Sequence, residues 1–299
     1  MKIIIINWVL VVISLLLCVL FFTMFERKFL SYIQIRKGPN KVGFLGLLTP
    51  VSDTIKLILK TSSLVSSGNS LLYFFGPFFS IFILFILWSL CPFVYFNNNF
   101  FFGLIAFFCL SSLNVYSVLS SGWGSNSKYS MLGAFRGVAQ VVSYEIILLF
   151  VAFFPICSQG SYNLFDYLYN NFVFGIWLFP LFILWLISCV AETNRSPFDF
   201  AEGESELVSG FNTEYGALEF AFLFLGEYGQ ILFISCLSFL LFFPNFLNLE
   251  YIFFGILIAV SFIWFRASFP RFRYDLFMNM AWNIGLIFLF FFFFYIISL

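Results

Sequence analysis

Eight long apolar runs succeed one another along the chain: Ile3–Phe25, Leu71–Val94, Phe100–Leu119, Val138–Ile156, Phe172–Val190, Phe220–Phe243, Tyr251–Phe265 and Met278–Ser298. Runs of about 20 apolar residues are what a hydrocarbon core roughly 30 Å thick requires of a helix. Within that core each backbone polar group must be satisfied inside its own segment, which leaves the helix as the natural solution for such runs. Composition closes the soluble alternative. With 62% hydrophobic and 9% charged residues over 299 positions, too little charge exists to cover a water-facing surface. The expected fold is an all-α integral membrane protein of about eight transmembrane helices, forming a single polytopic membrane domain over residues 1–299. The run Tyr251–Phe265 is the shortest, and Arg266 at its end is expected to lengthen it by snorkelling.

The segment Thr49–Lys60 differs from the spans. Val51, Ile55, Ile58 and Leu59 share one helical face while Asp53, Lys56 and Lys60 lie elsewhere. This is the pattern of an amphipathic helix lying in the interface plane after the first span. Positive charge then fixes the topology. Connection one carries Arg27, Lys28, Arg36, Lys37, Lys41, Lys56 and Lys60; connection three carries Lys128 and Arg136; connection five carries Arg195; connection seven carries Arg266, Arg271 and Arg273. Of the fourteen Lys and Arg residues only Lys2 is left over. The positive-inside rule places the odd connections in the cytoplasm or matrix and both termini on the opposite side.

Several classes of chemistry are disfavoured by what is missing. The chain has no histidine, the commonest general base and metal ligand. Its six cysteines, Cys18, Cys91, Cys109, Cys157, Cys189 and Cys236, stand singly in or beside apolar runs, as small hydrophobic side chains do. The chain is therefore expected to bind no metal, haem or iron–sulfur cluster itself. Fourteen acidic residues cancel fourteen basic ones, so nothing in the charge balance suggests nucleic acid. The first apolar run is too long for a signal-peptide core and lacks a small-residue cleavage site. The protein is expected to insert where it is made, in a bacterium or from an organelle's own genome. Fifty-one phenylalanines suggest T-rich coding DNA, which favours the organelle.

In a chain so poor in charge the carboxylates carry the information. Glu192, Asp199, Glu202, Glu204 and Glu206 crowd connection five with only Arg195 to offset them. Glu214, Glu219 and Glu227 continue the series into the sixth span, and Glu145 lies inside the fourth. An acidic run is ordinarily a solvated loop. Here the run continues to membrane depth, where a comparable carboxylate costs about 2.5–3.5 kcal/mol even on the gentlest insertion scale. Gly203, Gly210, Gly216, Gly226 and Gly229 interleave with it, and irregular backbone at depth is tolerated only inside protein or along a wet cavity. A hydrated carboxylate path for protons fits this pattern, because burial and mutual repulsion make such groups exchange protons. Structural ion pairs with Arg136 or Arg195 are the alternative. A second constellation, ERKFLSYIQIRKGPNK from Glu26 to Lys41, anchors the interface. Glu26 and Arg27, at a span's edge beside the amphipathic helix, are placed to frame a lateral opening to the bilayer.

Four long blocks resemble the chain 1 family of NADH:ubiquinone oxidoreductase, a membrane-arm subunit of respiratory complex I and the counterpart of the bacterial H subunit. They are ERKFLSYIQIRKGPNKVGFLGLLTPVSDTIKLILK, GWGSNSKYSMLGAFRGVAQVVSYE, AETNRSPFDFAEGESELVSGFNTEYGALEFAFLFLGEY and RASFPRFRYDLFMNMAW. They occur in family order and, with the spans between them, cover essentially the whole chain. Thr49, Thr61 and Asn283 depart from the family pattern, which has Gln, Glu and Lys there. The resemblance implies a place at the junction of the membrane and peripheral arms, in the mitochondrial inner membrane or a bacterial plasma membrane. It implies contact with other subunits of both arms, with membrane lipid, and with ubiquinone as substrate. NADH, FMN and iron–sulfur clusters would be held by partner subunits. Carried over by motif, Glu26, Arg27, Arg36, Asp53 and Phe224 fall at quinone-chamber positions. Glu145, Glu192, Asp199, Glu202, Glu204, Glu206, Glu214 and Glu227 fall on an acidic coupling route. Rival readings are the same fold in a membrane-bound hydrogenase, a stand-alone proton-coupled transporter, and a structural anchor.

Overall fold

A computed structural model describes residues 2–62, 68–92, 100–168, 178–243 and 248–298, and every regular element among them is a helix. The first is α1 (Lys2–Ile33), followed by α2 (Thr49–Leu59), α3 (Ser70–Ser89), α4 (Gly103–Gly124), α5 (Lys128–Gln159) and α6 (Leu164–Leu168). Then come α7 (Phe179–Glu192), α8 (Glu204–Leu207), α9 (Ala217–Phe242), α10 (Asn248–Ser268), α11 (Tyr274–Asn279) and α12 (Leu286–Ser298). Seven helical stretches among the described residues are long and apolar enough to cross a membrane. The remaining expected span is represented by α7, a shorter apolar helix of 14 residues. The start of that span, 172–177, lies outside the described residues.

Helix ends follow local chemistry more closely than apolarity. Helix α5 begins ten residues before its apolar run because Ser127 caps it, its hydroxyl accepting from the Ser130 N–H. Lys128 and Arg136 therefore ride on its first turns rather than in a loop. Asn69 caps α3 in the same way. The shortest expected span proves to be a 21-residue helix, α10. Its Arg266 does not snorkel outward; it turns onto Glu26 at 2.5 Å. The last span is not a uniform helix, since a π-helical segment, Met280–Gly285, separates α11 from α12.

Helix α9 sits at the centre, packed against α1, α3 and α10. From Tyr228 to Phe242 every residue on it is buried, the mark of a helix surrounded on all sides. Glycine permits its close approach to α3. A Cβ on Gly226 would lie 3.1 Å from the Ser80 side chain, and one on Gly229 would overlap Leu84. The Trp88 indole then donates to the Gly229 carbonyl at 3.2 Å. Apolar side chains on α1 (Leu10, Ile13, Leu17) and α12 (Phe290, Phe291, Phe294) are exposed, as lipid-facing surfaces are. On α2 the same holds for Val51, Ile55, Ile58 and Leu59, so its apolar face has no cover from the described residues.

Candidate functional site

The segment between α7 and α9 folds into the end of the bundle instead of hanging in solvent. Phe198, Phe200, Ala201, Leu207 and Phe211 are buried. Phe198 and Tyr144 each stack on Phe277 with centroids 4.3 Å apart, and the Tyr144 hydroxyl donates to the Phe277 carbonyl at 3.0 Å. From α5, the buried Gln140 amide donates to the carbonyls of Ala191 and Phe198 at 2.7 and 2.8 Å. Gly210 has φ +56° and lies against the Ala201 carbonyl so closely that any side chain would collide. Packing of this kind holds carboxylates in low-dielectric surroundings, and a solvated loop does not.

The densest charge lies where α1, α9 and α10 meet this segment. Glu26 on α1 is 5% exposed. Its carboxylate accepts from Arg266 at 2.5 Å and from the Tyr228 hydroxyl at 2.6 Å, with Arg195 at 3.6 Å. The Arg195 guanidinium also sits 4.1 Å from the centroid of the Tyr228 ring. Burial works against the Arg195 charge, but Tyr228, Glu26 and Glu227 outweigh it and hold its proton above the ordinary arginine range. Beside this cluster Asp199 pairs with Arg271 at 3.0 Å. Burial pushes the Asp199 carboxyl above its usual range despite the opposing pull of Arg271 and Arg195. Glu227, one residue before Tyr228, lies within electrostatic reach of Glu202, Arg195 and Asp199. Glu202 in turn accepts from the Asn212 amide at 3.1 Å.

The remaining acidic residues fall into separate groups. Glu192 is buried, its Oε2 without a hydrogen-bond partner among the described residues, and lies within electrostatic reach of Glu145. Glu145 lines a cleft of about 410 Å³ with Ser112 and Tyr162. Glu214 offers its carbonyl to the Tyr73 hydroxyl at 3.0 Å. Glu206 faces outward and is ion-paired to Arg136, which holds its carboxyl below the usual range through a hydrogen bond and its charge. The side chain of Glu204 lies outside the described residues. Of the ion pairs that are the structural alternative for the series, the one with Arg136 is formed by Glu206, while Arg195 pairs with Glu26, outside the series.

The five positions that the resemblance assigns to a quinone chamber are only partly gathered. Arg27 and Asp53 meet in a half-exposed ion pair of 2.8 Å that ties the end of α1 to α2. Arg36 is exposed. Phe224 meets the Phe220 ring at a tilt with centroids 4.4 Å apart and stacks on Tyr228 at 6.1 Å, so it reaches the Glu26 cluster through Tyr228. The crevice touching Glu26 measures about 10 Å³, too small for a quinone ring. A larger apolar groove of about 340 Å³ lies elsewhere, between α7 and the end of α10, lined by Ile183, Ile187, Phe265 and Phe269.

Sequence reasoning left Tyr228, Arg266 and Arg271 out of the site, and read Arg195 only as an ion-pair partner and Glu219 only as a member of the acidic series. One signal was available: Arg195 is the lone cation among five carboxylates, and such a cation at a bundle's end seeks a buried anion. Nothing in the spacing joins Glu26 to Arg266, 240 residues away.

Comparison with known proteins extends these observations. A family model described as NADH dehydrogenase matches residues 6–297. NADH-ubiquinone oxidoreductase chain 1 of Aedes aegypti is 46% identical over 290 residues, covering 95% of this chain and 93% of its own. The protein of that name from Anopheles gambiae is 47% identical over 296 residues, covering 95% and 92%. The one from Branchiostoma lanceolatum is 46% identical over 271 residues, covering 90% and 87%.

Proposed function

The chain belongs to the NADH dehydrogenase family, and on that premise we propose that it couples quinone reduction to proton translocation in the membrane arm of complex I. It is a subunit of an NADH:ubiquinone oxidoreductase, and other subunits of that complex are its partners. It is a multi-pass protein of the mitochondrial inner membrane, a location that its animal relatives and apolar helices support. Redox cofactors for NADH oxidation reside on partner subunits in this reading, and ubiquinone approaches from the bilayer.

The α1–α2 corner, with Glu26, Arg27, Arg36 and Asp53, together with Phe224 of α9, is the part of the quinone chamber this chain supplies. Its small crevice fits a chamber whose other walls come from the peripheral arm. The uncovered apolar face of α2 suits contact with lipid and with a quinone's hydrocarbon tail. From Glu26 the charged groups continue through Arg195 to Glu227, Glu202 and Asp199. Reducing a quinone draws protons and changes charge beside this cluster. Carboxylates that repel one another respond to such a change in proton occupancy. The observation that carries the reading is this continuity: one buried arginine faces both Glu26 at the α1 corner and Glu227 within α9.

Replacing Glu227 by Gln, or Glu202 and Glu206 together by Gln, tests it, since Gln keeps size but cannot titrate. Assembly should stay intact while NADH:quinone turnover and proton uptake in vesicles fall together. Both activities near wild type would make the carboxylates scaffolding. That second reading draws on the Glu206–Arg136 and Asp199–Arg271 pairs, so Glu227 carries the greater weight in the test.

A further inference from the structure

The groove between α7 and α10 opens outward, since Ile183 and Phe269 on its two walls are exposed. Ile183, Ile187 and Val190 form the α7 wall, Phe265 and Phe269 the α10 wall, and the lining is apolar throughout. Positions 183, 187 and 190 recur at helical spacing, so they make one stripe along α7. Connections five and seven supply the roof. The Phe272 N–H donates to the Pro197 carbonyl at 3.2 Å, and Pro197 and Phe272 both line the groove. Met280, the first residue of the π-helical segment, lines it from the last span. Such segments are frequent at functional sites, and a flexible thioether adapts to what it contacts.

Size, depth and charge narrow the occupant. From Ile183 to Val190 the wall is about 10 Å long at the helical rise. A helix, about 10 Å across with its side chains, would take up about 800 Å³ over that length. The groove holds about 340 Å³, which suits a single hydrocarbon chain. Val190 and Phe269 lie where α7 and α10 run into connections five and seven, on the arginine-bearing side of the membrane. The groove therefore lies in the leaflet of that side, whose hydrocarbon is about 15 Å deep. Arginines of connection seven surround its roof. Arg266 and Arg271 turn inward to Glu26 and Asp199. Arg273, next to Phe272, keeps 78% of its side chain exposed in a pair with Asp275, itself 68% exposed. A pair so open to solvent contributes little. Its contact uses Arg273 Nε, and a phosphate can accept from two guanidinium nitrogens at once. The α2 helix packs on α1 and α9, so the groove between α7 and α10 is separate from the corner assigned to quinone.

We propose that this groove is a binding site for one anionic phospholipid of the matrix leaflet, with an acyl chain between α7 and α10 and the headgroup phosphate at Arg273. The chain fills the space between two helices whose ends bear on the charged cluster. Helix α10 carries Arg266, and α7 leads into the segment with Arg195 and Asp199. The lipid holds those ends at their spacing and takes no part in proton or electron transfer, so the site stands whether or not the acidic-route reading does.

Photolabelling of the assembled complex in vesicles tests it. The probes are phospholipids with a diazirine in one acyl chain and either a phosphatidylglycerol or a phosphatidylcholine headgroup, and adducts are mapped by peptide mass spectrometry. Adducts on residues 183–190 and 265–272 should be several-fold more abundant with the anionic lipid. Those on Phe291 of α12, which is exposed far from any arginine in sequence, should not depend on the headgroup. Arg273→Gln should lower anionic labelling of the groove to the phosphatidylcholine level. Ile187→Trp, which fills the groove, should abolish labelling there with both lipids. If that variant does not assemble, the exposed Arg273→Gln and the headgroup comparison decide. Equal labelling by both headgroups, unmoved by Arg273→Gln, would reduce the groove to ordinary bilayer contact and overturn the proposal. So would labelling by neither lipid, the outcome if a partner subunit covers the groove. Preferential labelling by a ubiquinone with a diazirine in its tail would overturn it as well.

Discussion

The Glu26 cluster is the feature whose removal should be felt most. Glu26→Gln leaves the shape of the side chain but deletes the charge facing Arg266 at 2.5 Å and Arg195 at 3.6 Å. Removing one partner of a buried pair costs about 3–5 kcal/mol, because the other charge is left uncompensated. Arg266 is partly exposed, 37% for its side chain against 14% for Arg195, so solvent screens part of the loss. The lower end of the range, about 3 kcal/mol, is the expected cost, which is roughly a hundredfold in the opening equilibrium. Tyr228→Phe removes one hydrogen bond to a charged group and should cost about 1.5–3 kcal/mol. The double variant should fall short of the sum by about 1–2 kcal/mol, since both changes remove the same contact. Cys236 reports on this without added probes, being buried on α9, the helix that carries Tyr228. Its rate of labelling by a thiol reagent under native conditions measures local opening. Glu26→Gln should raise that rate roughly a hundredfold in assembled complex. A change smaller than about threefold, the size expected of a solvated surface pair, would refute the buried-cluster argument.

Arg27→Ala should weaken quinone reduction while sparing NADH oxidation by a hydrophilic artificial acceptor, and equal loss of both would take Arg27 out of the chamber. The same change breaks only the exposed pair with Asp53, so stability should move by less than about 1 kcal/mol in a thermal inactivation assay. Val208, 70% exposed in connection five, is the place for a topology test: Val208→Cys should label with an impermeant thiol reagent only from the matrix side. Labelling from the other face would break the charge-based orientation. Arg136 holds the Glu206 carboxyl below its usual range, so the pair's stabilisation is present above the ordinary glutamate value of about 4.3 and fades as pH falls through the lowered one. The stability gap between wild type and Glu206→Gln should therefore close on acidification, staying under about 1 kcal/mol throughout because Glu206 is exposed. A gap that widens as pH falls would show that the pair does not act this way.

The sequence by itself determined the class of fold, the sites of the spans and the amphipathic α2, because lipid imposes its demands residue by residue along the chain. Apolar length marks where a segment can span, and the alternation of Lys and Arg predicts which way. It also marked the acidic residues, since a carboxylate among apolar neighbours is conspicuous in one dimension. Helix ends outside the lipid were less legible: the start of α5 depends on a serine cap, and the π-helical break before α12 leaves no periodicity signal. What only the tertiary structure decided is which charges meet. Glu26 finds Arg195, Arg266 and Tyr228 from three remote segments, Glu206 is drawn out to Arg136, and Glu219 is buried at the start of α9. Charge counts along the chain treat these carboxylates alike. Their chemistry diverges because electrostatic energy depends on distance and burial, and both are set by helix packing.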